Sequence, residues 1–182
     1  MNLETRTVEL EYLELRDDED GPHLVGIVAP WHSTFDAGEY LETFHRTVFD
    51  KSIKERGTRI PLLEQHDRNK HPVGMSLSWE NTNAGLVAAF RLANTPRADE
   101  SRQLVLDNMV TGLSVAFQPI RNRTETRDGR RHVQRLEARL DHVGLVTASA
   151  YSEAKVLAVR AYDPDDPQVA PRLAKWRHQL TS

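Results

Sequence analysis

The chain contains no cysteine, which excludes disulfides and thiolate metal sites and fits a reducing interior such as a cytosol. No apolar run approaches the roughly 18–20 residues that span a bilayer. The first residues, MNLETRTVELEYLELRDDEDG, alternate acidic and apolar side chains and lack the apolar stretch of a signal peptide. Charge of one sign is not in surplus either. The net charge is −3 with the signs interspersed, so there is no electrostatic footprint for nucleic acid. Glycine-rich phosphate loops are absent, as is His-x-x-x-His or comparable metal spacing, and no internal repeat or low-complexity tract is visible. The pairs Asp17-Asp18 and Asp165-Asp166 fall in turn-like segments, where both carboxylates stay ionised and do no acid–base work. These absences predict a soluble, intracellular protein with no metal, cofactor, nucleic-acid partner or membrane association. They leave the chemistry open.

What is present is alternation. At 182 residues the chain suits one domain, burying about 70% of its unfolded surface. Residues 5–15 alternate with period two and predict a strand, and Leu24 to Ala29 predict a second across the turn Asp17–Pro22. Leu41, Phe44, Val48, Phe49 and Ile53 recur at three- and four-residue steps, predicting an amphipathic helix over 40–56, in one piece or two, with Gly57 as its stop. Strands follow at 60–63, 73–79 and 86–92. Thr95-Pro96 then opens a second helix whose stripe, Leu104, Val105, Met109 and Val110, ends at Gly112. Strands at 113–120, 131–140 and 143–148 come next, with Asp128-Gly129 as a hairpin turn and a last strand at 155–162. The segment Asp163–Pro171 reads as a proline-rich linker before a short helix at 172–180. The expectation is an α+β domain over residues 1–162, built on a mostly antiparallel sheet or barrel, with 163–182 as a tail.

Three positions carry candidate chemistry. Of the eight histidines, His23, His32, His45, His71, His132 and His178 sit in polar or loop contexts and predict surface residues. His66 ends an apolar strand and opens onto a polar loop, where a rigid general base would be useful. Ser114 interrupts the apolar run Leu113 to Phe117. It shares a face with Ala116, while Leu113, Val115 and Phe117 point the other way. His142 lies in Leu140-Asp141-His142-Val143-Gly144-Leu145-Val146, on the face of Leu140, Gly144 and Val146, with Asp141 on the opposite face. Each has a bland counterpart: a strand-end histidine, a small polar space-filler, a hydrogen-bonded core histidine. The residue pattern by itself leaves both readings open.

Taken together, three blocks resemble the tailed-phage prohead maturation proteases. Leu62-Leu63-Glu64-Gln65-His66-Asp67 with Pro72-Val73-Gly74 is similar to their histidine block, and Gly112-Leu113-Ser114-Val115-Ala116-Phe117 to their nucleophile strand. Leu140 to Val146, with Ala150-Tyr151 and Ala154 to Arg160, is similar to their third block. The resemblance implies a β-barrel flanked by helices, like that of the herpesvirus assemblins, and a serine endopeptidase. Its implied site is Ser114 as nucleophile, His66 as base and His142 as orienter, with Asp141 as fallback. The oxyanion hole is not placed: the Gly112 region, Arg121 and Arg123 are candidates, and the two arginines read more readily as solvated charges. The implied substrate is the scaffold or delta segment of a major capsid protein, and the protease itself, inside an assembling prohead in the host cytoplasm, with self-association. Many members carry Glu where this chain has His142 and Ser or Ala where it has Gly144, and Phe44 to Phe49 departs from their usual turn. The alternatives are a non-catalytic assembly or scaffolding protein with the same barrel, or a self-cleaving protease–scaffold fusion, for which the residues after Arg160 are few.

Overall fold

The computed structural model describes residues 3–9, 13–18 and 21–147; the expected strand at 155–162, the linker and the last helix lie outside the described residues. Ten strands and two helices follow one another: β1 (Glu4–Glu9), β2 (Leu13–Asp18), β3 (Gly21–Pro30), β4 (Phe35–Asp36), β5 (Tyr40–Phe44), α1 (Asp50–Arg56), β6 (Pro61–Glu64), β7 (Gly74–Asn81), β8 (Gly85–Leu92), α2 (Pro96–Leu106), β9 (Gly112–Arg127) and β10 (Arg130–Val146). The strands join one sheet in the order β1-β9-β10-β6-β7-β8-β3-β2, with β5 on β10 and β4 on β5. Pairing is antiparallel except where β10 meets β5 and β6. The sheet curls until β3 touches β1 and β9. Among the described residues it stays open by hydrogen bonding, a curled half-barrel made mostly of strands with two helices.

The local signals explain most of this. Asp128 and Gly129 both take left-handed backbone (φ 50° and 76°), the conformation that a two-residue hairpin turn of matching twist requires. Thr95 caps α2 by accepting from the Ala98 N–H at 3.3 Å, with Pro96 following it. The helix stops at Leu106, short of the expected Gly112, and Met109 of the expected stripe is exposed.

Three expectations fail for identifiable reasons. Residues 5–15 divide into β1 and β2, which occupy opposite edges of the sheet, because alternation marks a strand but not its partner. The segment Tyr40–Phe44 is not helical; it adds in parallel to β10, and the helix shrinks to Asp50–Arg56. Residues 131–140 and 143–146, expected in two separate strands, belong to the single strand β10, whose register shifts at Asp141.

The apolar faces of β3, β6, β8, β9 and β10 enclose one core, including Leu24, Leu62, Phe90, Leu113, Val115 and Phe117, with Val105 of α2 against it. One end of the core is closed by charge. Glu42, 1% exposed, accepts from Arg6 and from Arg135, which is 5% exposed. Arg135 also reaches Glu4 at 2.7 Å, and both arginines reach the Tyr40 hydroxyl, at 3.1 and 3.0 Å. The Arg6 guanidinium lies 4.7 Å from the Phe35 ring centre. Two arginines facing two glutamates balance the charge, and the buried Glu42 is the acceptor both arginines share.

Glu42→Ala leaves two arginines without their common acceptor and should cost about 3–5 kcal/mol. Urea denaturation measures this; a loss below about 1 kcal/mol would show that the cluster is a solvated surface network.

Candidate active site

Ser114 lies in β9 directly opposite Gly144 of β10, and Ala116 lies opposite His142. Opposed residues share a face, so these four line the side of the sheet away from the core. Leu113, Val115 and Phe117 face inward, as their alternation predicts. His66 arrives from β6, which runs parallel to β10 with Leu63 opposite Gly144. Just after β6 the chain makes a turn through two left-handed residues, Gln65 (φ 47°) and His66 (φ 59°). Side-chain-bearing residues adopt this conformation at a cost on the order of 1–3 kcal/mol. Here it is held by Gln65 N–H donating to Leu145 O at 2.9 Å and Asp67 N–H donating to Glu64 O at 2.8 Å.

The turn lays the His66 imidazole on Gly144. A Cβ at position 144 would stand 2.6, 2.7 and 2.8 Å from ring atoms Cε1, Nε2 and Nδ1. Opposed residues of an antiparallel pair hold their Cβ atoms about 4.5–5.5 Å apart. The ring occupies the place of the missing Gly144 side chain and is therefore the immediate neighbour of the Ser114 side chain. Its Nε2 is buried with no hydrogen-bond partner. Its Nδ1 is 2.8 Å from His142 Nε2, and the two rings meet edge to face at 61°. On the far side of the second ring, His142 Nδ1 is 2.9 Å from Asp141 Oδ2.

Burial, with nearby His142 as the lesser cause, pushes the His66 pKa down to about 4, so at neutral pH the ring is uncharged and able to accept a proton. For Asp141 burial opposes ionisation, but the hydrogen bond from His142 and the charge of Arg68, 3.4 Å away, outweigh it. The carboxyl is held below its usual range.

Ser114, His66 and His142 are thus brought together, and two details differ from expectation. Leu140 pairs with Phe117 and His142 with Ala116, so one extra residue, Asp141, bulges from β10. The bulge turns Leu140 to the core and leaves His142 on the other face, where a strict period of two would have put them together. It also brings the Asp141 carboxylate to His142, so Asp141 stands behind the second histidine and is not a substitute for it. Ladder groups freed by the bulge are taken by α1. Leu140 N–H donates to Ser52 Oγ at 3.0 Å, and Arg56 donates to the carbonyls of Leu140 and Asp141 at 2.6 and 2.7 Å.

Ser114 is fully buried (0% exposed). Arg121 and Arg123 are exposed and lie seven and nine residues beyond Ser114, about 23 and 30 Å along a strand, too far to serve an oxyanion hole. His32, His45 and His71 are exposed, but His23 is buried at 5% exposure within β3, whose pairing with β8 polarity alone did not reveal. Gly144, Ser52 and Arg56 were not singled out as part of the site; only the glycine inside an apolar strand carried a signal of close approach. Beside the His66 turn lies a cavity of about 560 Å³, lined by Gln65, Asp67, Arg97, Leu104 and Thr147 among others.

A family model described as the caudovirus prohead serine protease matches residues 11–165. Among solved structures, the capsid assembly protease of bacteriophage T4 is similar, with a TM-score of 0.58 at 13% identity, over 80% of this chain and 98% of that one. No curated protein matches the chain significantly.

Two outcomes are expected. Gly144→Ala displaces the His66 ring and breaks its contact with His142, read as altered imidazole signals of both histidines by NMR in a protein that stays folded; unchanged signals would show that the ring does not rest on Gly144. A histidine in an unfolded chain titrates near 6.5. Between that pH and about 4 the unfolded state binds a proton that folded His66 refuses, so stability is full above the window and falls as the pH drops through it. Denaturation midpoints between pH 7.5 and 4 should decline less steeply for His66→Gln than for the parent; equal declines would place the ring in water.

Proposed function

The chain belongs to the caudovirus prohead serine proteases, and we propose that Ser114 is its nucleophile, His66 its general base and His142 the orienter of His66. The observation that carries this reading is the His66 ring seated on Gly144 beside Ser114, its Nε2 unpartnered and its Nδ1 held by a second imidazole. Ser114 Oγ attacks the peptide carbonyl while His66 Nε2 takes the hydroxyl proton. Collapse of the tetrahedral intermediate expels the amine, to which the same nitrogen returns the proton, and water repeats the sequence to release the acyl group. His142 Nε2 accepts the hydrogen on His66 Nδ1 and so keeps the ring turned toward the serine.

A neutral imidazole stabilises the developing imidazolium less than a carboxylate does, which predicts slow turnover. Slow cleavage suffices where substrate is packed at high local concentration inside a shell. The substrate on this reading is the scaffold or delta segment of a major capsid protein, and the protease itself, within the prohead in the host cytoplasm, where copies associate with one another. The fold is read as a relative of the assemblin barrel. The cavity beside the His66 turn gives a substrate side chain room to bind. Because Ser114 is buried, the groups above it must part before a peptide reaches it.

Co-expression with the capsid protein tests the reading. The parent should give a shortened capsid or self-cleaved species that Ser114→Ala lacks; identical products from both would leave a non-catalytic assembly protein. His142→Ala should slow cleavage without abolishing it. A loss no larger than that of His132→Ala would remove His142 from the site.

A further inference from the structure

Two imidazoles in contact do not decide which of them donates. If His66 Nδ1–H donates to His142 Nε2, the proton is off His66 Nε2 and that nitrogen can act as a base. If His142 Nε2–H donates to His66 Nδ1, the proton sits on His66 Nε2 and the ring cannot take one from a serine. Both arrangements satisfy the 2.8 Å contact equally well, so the direction is imposed from outside the pair.

We propose that Asp141 imposes it, as a positioning residue that fixes the tautomers of both histidines in the order that leaves His66 Nε2 unprotonated. The inference rests on the reading of Ser114 and His66 given above. An ionised carboxylate only accepts, so the 2.9 Å contact between His142 Nδ1 and Asp141 Oδ2 requires the hydrogen on His142 Nδ1. With His142 neutral, its Nε2 is then a lone pair, and the contact to His66 requires the hydrogen on His66 Nδ1. Nε2 of His66 is left bare on the side of Ser114.

Two further features serve this arrangement. Successive residues of a regular strand point to opposite faces, so Asp141 bonds the ring of its own neighbour only because β10 bulges there, and Ser52 and Arg56 of α1 hold the bulge by its backbone. Arg68, two residues past His66, ion-pairs with Asp141 at 3.4 Å; a nearby cation favours the ionised carboxylate, the form that cannot donate. The carboxylate thus reaches the base through an intervening imidazole.

The test uses the full chain at about pH 8, above the range in which a free imidazole protonates, with ¹⁵N-labelled histidine assigned through His66→Gln and His142→Gln. The parent should show both His66 and His142 as Nδ1–H tautomers. In Asp141→Asn, whose amide can donate, His66 should gain Nε2–H character. Labelling of Ser114 by a fluorophosphonate probe should slow by roughly 10- to 1,000-fold, short of the roughly 10⁴ loss seen when the residue touching the base is itself changed. His142→Glu accepts directly from His66 Nδ1, so in that background Asp141→Asn should leave the labelling rate within about twofold. Three results would overturn the proposal: an Nε2–H His142 in the parent, tautomers and rates untouched by Asp141→Asn, or the same loss from Asp141→Asn in both backgrounds, which would mark a purely structural role. A parent with the expected tautomers whose Ser114 does not react would instead remove the nucleophile assignment and leave the positioning result standing.

Discussion

A strand bonded along both edges has little slack, yet β10 pairs with β9 on one side and with β5 and β6 on the other and still takes up an extra residue at Asp141. The candidate site depends on that residue. Before it, β10 presents Leu140 to the core; after it, the strand presents His142 and Gly144 to the opposite face, level with Ala116 and Ser114. Without the bulge His142 and Gly144 would continue on the core-facing side of Leu140, away from Ser114. The bulge is stable because the backbone groups it strands find Ser52 and Arg56. Through Ser52 and Arg56 a short helix therefore holds the strand geometry on which that meeting depends.

The two faces of the sheet treat charge differently. On the core side, arginine and glutamate are buried together around Glu42, each matched by an opposite partner. On the other face two imidazoles meet over Gly144, which lies opposite Ser114, and burial holds His66 neutral. The formal charge nearest that pair is one position back, on Asp141, where it orders hydrogens without placing an anion against the base. A buried ion cluster stabilises a fold through matched partners, while a proton acceptor is useful only with its lone pair available.

Where β9 keeps strict alternation, the face of Ser114 could be read directly, since Leu113, Val115 and Phe117 on one side and Ser114 and Ala116 on the other follow from a period of two. The order His66, Ser114, His142 was readable through the family blocks, and the Asp128-Gly129 and Thr95-Pro96 signals located a hairpin and a helix start. Features that depend on partners distant in sequence were not readable. Glu42 in an apolar-spaced segment resembles a helix position until Arg6 and Arg135 arrive to neutralise it, at which point Tyr40–Phe44 becomes a strand. A bulge leaves no mark in composition, so the contact between Asp141 and His142, which alternation puts on opposite faces, could not be foreseen. His23 reads as a surface residue because its neighbours are polar, but β3 is flanked by β2 and β8 and the ring is enclosed.

Gly144 makes a single hydrogen atom a requirement of the site. The His66 ring lies where a methyl group on residue 144 would be, and the same ring is held through its Nδ1 by the His142 imidazole. A side chain at 144 and a ring so placed exclude each other, so the glycine and the two histidines form a unit in which a change at one position is felt at the others. Such positions are epistatic: what residue 144 tolerates is set by residues 66 and 142, one far away along the chain and one two places back on the same strand.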